Sequence, residues 1–389
     1  MTQKPIRVLT RILVALLLIH FLVEVSGHHY LYNTLAKTVF KGKLGPDILE
    51  YKEMPNRLIA NSEPEPWPLL PNYGQPSLTL EEEEYHTKNQ SVSFVVVHRD
   101  SLLFEQYWEN FGPDSISNSF SMAKSVVSLL CGIAIDQGRI ESVKKPVYWY
   151  MPQYETEVGK EITVENLLTM SSGIDFDEDY LNPFTFPAKA NYGDNLELLV
   201  SKYEPTEKPG VYFNYQSGTT QVLAFLVSGV MRMSLADMAS QFVWQKIGAE
   251  NPALWSLDRE GGMEKAFCCI NSTARDFARI GKLYKNHGKW NGQQIIDSAY
   301  VAASVSKPNT LNEDGTPCEI YGYQWWLGEH EGMDFFFMRG IKGQYVVVVP
   351  EKDLIVVRMG RKRDNGSFER AHPDDVYNYL DMGLRMISE

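Results

Sequence analysis

The sequence predicts a two-lobed α/β plus all-α fold: an antiparallel sheet assembled from both ends of the chain with flanking helices, and a helical lobe inserted between. Three observations carry this expectation. Two β-rich runs meet at a short turn in "SVSFVVVHRDSLLFEQYW", beginning at Ser91. Strand-like runs return late in the chain as "YGYQWWLG", "DFFFMRG", "QYVVVVP" and "LIVVRMG". Between them, from about 140 to 300, the pattern is mainly helical with long loops. With 389 residues, 44% apolar and 12% aromatic, the chain can bury a large core.

Taken in order, the N-terminus places Lys4, Arg7 and Arg11 before a charge-free run from Ile12 to Val23, the order of an export signal. That run of twelve is short of the roughly 20 residues of a full span, and no clear Ala-x-Ala cleavage site follows it. A cleaved signal and a retained anchor both fit residues 1–27, with the anchor favoured. Either places the body on the periplasmic or extracytoplasmic side, the positive charges staying inside. Residues 28–85 are rich in proline between about Lys41 and Pro76 and read as an extended leader that wraps the body or spaces it from a membrane. The Glu81 to Glu84 run reads as a solvated helix start or loop.

Residues 86–389 form the predicted functional domain. His98-Arg99-Asp100-Ser101 is the turn of the first hairpin. After Ser121, apolar Val126, Val127, Leu130, Ile133 and Ala134 recur at helical spacing up to Gly138, which predicts a long amphipathic helix. The last two late strands are joined around Glu351-Lys352-Asp353, and a final helix runs from about Asp374 to Ile387.

Composition excludes some functions. A net charge of −12 repels a nucleic-acid backbone, and no basic patch offsets it. The four cysteines, Cys131, Cys268, Cys269 and Cys318, do not make a disulfide framework. Adjacent cysteines rarely bond to each other, whereas a bridge from one of them to Cys318 fits an oxidising compartment. No metal site is expected, because there is no C-x-x-C pair and the eight histidines are scattered.

Ser-x-x-Lys occurs three times: Ser121/Lys124, Ser142/Lys145 and Ser304/Lys307. Only the first opens a long helix, behind the capping residues Asn118 and Ser119. Positions i and i+3 share a helix face, so the Lys124 amine reaches the Ser121 oxygen. Burial disfavours the charged amine and makes it a base for that hydroxyl. The Ser121 N–H, at the positive helix end, is a donor for a developing oxyanion. A second helix mouth follows the Pro209-Gly210 turn at Tyr215-Gln216-Ser217. There a phenol beside a lysine can relay a proton to a leaving group, while the plainer reading of Tyr215 is a packed aromatic.

With these motifs the sequence resembles the serine β-lactamase-like hydrolases: class C β-lactamases, DD-peptidases, certain esterases and 6-aminohexanoate-oligomer hydrolases. The resemblance covers about residues 90 to 385. It rests on "SFSMAKSVVSLLCGIAIDQGRI", "ENLLTMSSGIDFDEDY", "FNYQSGTTQVL", "FCCINSTARDFARIGKLY", "YGYQWW" and "RGIKGQYVVVVPEKDLIVV". It implies Ser121 as the acylated nucleophile, Lys124 as its base, Tyr215 as the acid/base partner and Ser217 as the third group of the Tyr-x-Asn/Ser motif. The third motif, usually Lys-Thr-Gly or His-x-Gly, falls on Met338-Arg339-Gly340. Gly340 fits, and the Ile341 N–H becomes the second oxyanion donor. Met338 does not supply the usual cation, which leaves Arg339 or Lys342 to substitute.

Gly340 and Gly343 read equally as close approaches to substrate or as a tight strand turn. Asp175, Asp177, Glu178 and Asp179 read as solvated loop charges; facing the site, they would favour a substrate with an amine. Of Trp325 and Trp326, one is expected in the core and one at the cleft rim.

The expected activity is two-step acyl transfer on a small-molecule or peptide-like ester or amide, with no metal or organic cofactor, no nucleic-acid partner, and a membrane contact through the N-terminal segment. The alternative from a different class is a membrane-tethered, weakly or non-catalytic penicillin-binding-type binding or sensing module, for which Met338 speaks.

Overall fold

A computed structural model describes residues 3–43, 45–364 and 370–388. Its main sheet is antiparallel and six-stranded, in the spatial order Ser101–Tyr107, Ser91–His98, Leu354–Gly360, Gln344–Val349, Met333–Gly340, Trp326–His330. The two chain ends meet in its middle, where Val96 stands opposite Val356. Arg99 and Asp100 take φ of 50° and 58°, a two-residue turn whose twist matches that of the strands it joins. The strands Ser91–His98, Gln344–Val349 and Leu354–Gly360 are buried on both faces, which is why they read as continuous valine runs instead of alternating.

One face of the sheet is covered by the last helix, Asp374–Ser388, whose Tyr379 and Leu380 join Phe94, Val347 and Val356 in one apolar cluster. The other is covered by the helix Ala274–Lys285. Gly281 lets that helix approach closely: a Cβ there would lie 3.0 Å from Val346 and 3.1 Å from Val348.

The helix after Ser121 runs from Ala123 to Asp136 and is buried from Ala123 to Ala134, so it is central rather than amphipathic as expected. Its polar side chains are tied internally. The Ser125 hydroxyl donates to Gln324 O at 2.6 Å, and Ser128 is paired with the Tyr300 hydroxyl at 3.2 Å. It packs against the helix Ser217–Met231.

The middle of the chain is not purely helical. Ala253–Ser256 and Ile270–Ser272 form a four-stranded sheet with Asn56–Ile59 and Ser117–Asn118. Strands of two to four residues are too short to leave a period in the sequence. Residues 28–85 lie along the body: the helix Tyr30–Lys37 packs on the helix Phe186–Tyr192, and Ile48, Ile59 and Trp67 are buried. The glutamate run forms the first turn of the helix Leu80–Lys88, where Thr79 and Glu82 make a capping box.

Cys268 and Cys269 are bonded to each other, against the expectation that neighbours stay apart. Cys269 takes φ of 74°, a left-handed backbone that turns the chain at the pair. Cys318 is free and buried beside Met170 and Tyr321, so it forms no bridge. Cys131 is also free, and burial pushes its thiol up to about 12.

The N-terminal helix Gln3–Val25 has a mean hydropathy of 2.3 over Arg7–Val25, and none of that stretch is buried. Those 19 residues rise about 28 Å, close to the roughly 30 Å of a hydrocarbon layer. The helix has the length and composition of a signal anchor or a membrane span.

Candidate active site

Ser121 stands in a 3-10 turn, Phe120–Met122, one turn before the α-helix proper. Asn118 sets this turn by accepting from the Phe120 N–H at 2.8 Å, and Phe120 takes φ of 45°. The Ser119 hydroxyl does not cap the helix; it donates to Phe120 O at 3.0 Å.

Lys124 is 1% exposed, and its Nζ lies 3.1 Å from Ser121 Oγ, 3.3 Å from Ser217 Oγ and 2.8 Å from Phe267 O. Among the described residues no carboxylate pairs with it directly. Its Nζ is also 5.0 Å from the centroid of the Tyr215 ring. Tyr215 packs against Trp326, with ring centroids 5.2 Å apart, and lines the cleft beside Ser121. The sequence thus brings Ser121, Lys124, Tyr215 and Ser217 together. The other two Ser-x-x-Lys pairs lie elsewhere: Lys145 pairs with Glu141, and Lys307 with Glu319.

The acidic loop departs from its solvated reading at one residue. Glu178 accepts from the Ser217 N–H at 2.8 Å and hydroxyl at 2.5 Å, and from the Tyr180 hydroxyl at 2.5 Å. It therefore closes the helix mouth and holds Ser217 against Lys124. Asp175, Asp177 and Asp179 instead fix loop backbone at Glu204, Phe186 and Leu181.

Gly340 closes the third motif against the turn that carries Ser121, since a Cβ there would lie 2.2 Å from Ser119 O. Gly343 has φ of 80° and makes the turn between strands, so neither glycine is explained by substrate approach. The N–H groups of Ser121 and Ile341 have no partner among the described residues. Met338 is fully buried in the core. The period of two puts Arg339 on the opposite face of its strand, where it lies over the Trp326 ring at 4.7 Å. Trp325 is in the core.

Two recesses meet at Ser121. One is a cleft of about 550 Å³ lined by Tyr215, Trp326, Arg339 and Lys342 and by Arg361, Lys362 and Arg363. Arg361 is paired with Asp47 and Glu109, while Arg339, Lys342, Lys362 and Arg363 form no salt bridge among the described residues, although the charge of Asp47 acts on Lys342 and that of Asp375 on Arg339. Burial, with the charge of Arg363 adding to it, pushes Arg339 below its ordinary range; burial lowers Lys342 as well. The other recess is a slot of about 170 Å³ reaching from Ser121, Ser217 and Phe267 to Thr34 and Thr38. A larger open depression of about 990 Å³, near Tyr150 and Asn195, contains none of these groups.

Sequence reasoning missed the Phe267 carbonyl, the role of Glu178 and the slot wall from Thr34 and Thr38. A backbone carbonyl leaves no sequence signal. Glu178 stood in an acidic cluster whose members look alike until one of them folds inward.

Residues 79–378 match the family model described as Beta-lactamase. The chain belongs to this family. It is 28% identical over 285 residues to the 6-aminohexanoate-dimer hydrolase of Paenarthrobacter ureafaciens, covering 69% of this chain and 71% of that protein. A solved structure of a candidate 6-aminohexanoate-dimer hydrolase from Bacillus anthracis superposes with a TM-score of 0.74 at 22% identity, covering 88% of this chain and 93% of that one. A family VIII carboxylesterase does so at 0.62 and 15%, covering 82% and 98%. The fold is accordingly that of β-lactamases and transpeptidases, and the protein is a β-lactamase-family hydrolase.

Proposed function

We propose that this family member is a serine hydrolase that cleaves an ester or amide through an acyl-enzyme, with Ser121, Lys124 and Tyr215 as its reacting groups. The observation that carries the reading is the buried Lys124 amine, 3.1 Å from Ser121 Oγ. In the first step Lys124 takes the Ser121 proton as Oγ attacks the carbonyl carbon, and the N–H groups of Ser121 and Ile341 receive the oxyanion. Tyr215 protonates the leaving group, which departs into the cleft that Tyr215 lines. Water then attacks the ester on Ser121 and releases the acid. The relatives' names, an amide hydrolase and a carboxylesterase, support both substrate bonds.

The leaving group in this reading carries negative charge. Arg339, Lys342, Lys362 and Arg363 line its cleft without a salt bridge among the described residues, and an anion between them offsets the cost of holding like charges together. These cations also stand in for the one absent at Met338, which favours turnover over a binding or sensing module. Export and anchoring by the N-terminal helix complete the reading. The bonded Cys268–Cys269 pair supports an oxidising compartment.

The test is hydrolysis of p-nitrophenyl acetate together with fluorophosphonate labelling. Wild type turns over and labels, whereas Ser121→Ala does neither; unchanged turnover in that variant contradicts the assignment.

A further inference from the structure

The slot on the other side of Ser121 has a setting that the chemistry above does not explain. It is small, about 170 Å³, well below the roughly 300 Å³ at which drug-sized pockets begin, and its course from Ser121 to Thr34 and Thr38 suits an unbranched chain. Ser121, Phe267, Leu181, Pro183, Ala188 and Thr38 outline its course. Tyr215 does not line it, so with the leaving group in the cleft the slot receives the acyl part.

Its outer end is built from two segments next to the apolar N-terminal helix. Thr34 and Thr38 come from the helix Tyr30–Lys37 and the residue after it, and Leu181 and Pro183 from the loop that this helix holds through a Tyr30 hydroxyl bond to Pro183 O at 2.9 Å. From Val25, where the apolar helix ends, to Tyr30 the chain can span at most about 18 Å. Large apolar side chains stand exposed on these same segments: Val39 at 58%, Phe40 at 80%, Leu181 at 94% and Phe184 at 52%. A concentration of this kind marks a contact surface, and the adjoining membrane-type helix says which one.

Resting on the hydrolase reading above, we propose that the slot binds the hydrocarbon chain of a bilayer-dissolved acyl ester or amide, which enters from the membrane past Phe40 and Leu181. The carbonyl carbon stops at Ser121 Oγ, which forms the new ester bond as the bond to the leaving group breaks. The leaving group takes its proton from Tyr215 and departs through the basic cleft. Water then cleaves the acyl ester, and the long-chain acid returns to the bilayer by the path it entered.

The test uses the full chain reconstituted in phosphatidylcholine vesicles with three p-nitrophenyl esters: acetate, decanoate and 6-aminohexanoate. Each buried methylene favours the longer chain several-fold, so kcat/KM for decanoate exceeds that for acetate by about tenfold or more. Ala188→Trp, which narrows the slot, brings that ratio towards one. Val39→Glu with Phe40→Glu, outside both recesses, lowers decanoate turnover from vesicles about fivefold or more and leaves acetate turnover in solution unchanged. A decanoate-to-acetate ratio at or below one, or preference for 6-aminohexanoate, overturns the chain assignment. Unchanged decanoate turnover in the Val39/Phe40 variant overturns entry from the bilayer. Absence of acetate turnover and of fluorophosphonate labelling in wild type removes the hydrolase reading itself, and this proposal with it.

Discussion

The two recesses that meet at Ser121 are opposites in chemistry. The cleft is broad and cationic, with Arg339 spread over Trp326 and Lys342, Lys362 and Arg363 around it, none of them in a salt bridge among the described residues, while the slot is small and walled largely by apolar groups. Ser121, the proposed nucleophile, is common to both sides, whereas Tyr215 lines only the cleft. Selectivity therefore belongs to segments outside the Ser-x-x-Lys and Tyr-x-Ser motifs: residues 361–363 for the cleft, the helix Tyr30–Lys37 and the 180–188 loop for the slot. One reaction can be held constant while either wall is rebuilt, which accounts for a family whose names range from lactamase to esterase.

Changes at the shared centre should act on both sides alike. Lys124→Ala is expected to lower kcat/KM by about 10²–10⁴-fold, equally for esters differing only in acyl chain or only in leaving group. A folded variant that loses less than tenfold removes Lys124 from the acylation step. Glu178→Gln keeps the shape of the side chain but turns one of its two acceptor oxygens into an NH2 donor, and should cost about 1–3 kcal/mol of stability together with a fall in kcat for every substrate. Unaltered unfolding and kcat would show that Glu178 does not position Ser217.

Changes to one wall should separate the substrates. Arg363→Ala is expected to raise KM about tenfold more for an acetate ester with an anionic leaving group than for a neutral one. Equal KM shifts for the two would erase the proposed difference between cleft and slot.

The smallest effect lies away from both walls and serves as a control on stability. Burial pushes His86 down to about 3 and His372 down to about 4, from an ordinary 6.5. As pH falls through 6.5 the unfolded chain takes up protons that the folded chain refuses, so stability is lost on acidification. At pH 5 the loss is about 2 kcal/mol for each histidine. Urea unfolding at pH 7 and pH 5 measures it, and His372→Gln should show about half the wild-type drop; a pH-independent wild type contradicts these buried, neutral histidines.

Much of this molecule was legible in its sequence because strong local signals agreed with the global fold. The valine runs at Ser91–His98, Gln344–Val349 and Leu354–Gly360 could hardly be anything but buried strands, and Ser121, Lys124, Tyr215 and Ser217 sit at two helix starts announced by Asn118 and by the Pro209-Gly210 turn. What escaped depends on contacts between distant segments. Asn56–Ile59 is a strand only because Ala253–Ser256 lies beside it. Glu178 acts at the site because its loop folds across Ser217, and Thr34 becomes a slot wall because its helix docks on the helix Phe186–Tyr192. The Cys268–Cys269 bond defied a sound rule about neighbouring cysteines, since Cys269 adopts a backbone that such residues rarely take.

The measurement that bears most directly on the whole account is the mass-spectrometric location of the fluorophosphonate adduct in wild-type protein. Digestion at Arg99 and Lys124 isolates the segment from Asp100 to Lys124, and fragmentation within it should place the added mass on Ser121. An adduct on any other residue, or a fully folded protein that takes up none, contradicts the assignment of Ser121 as the nucleophile.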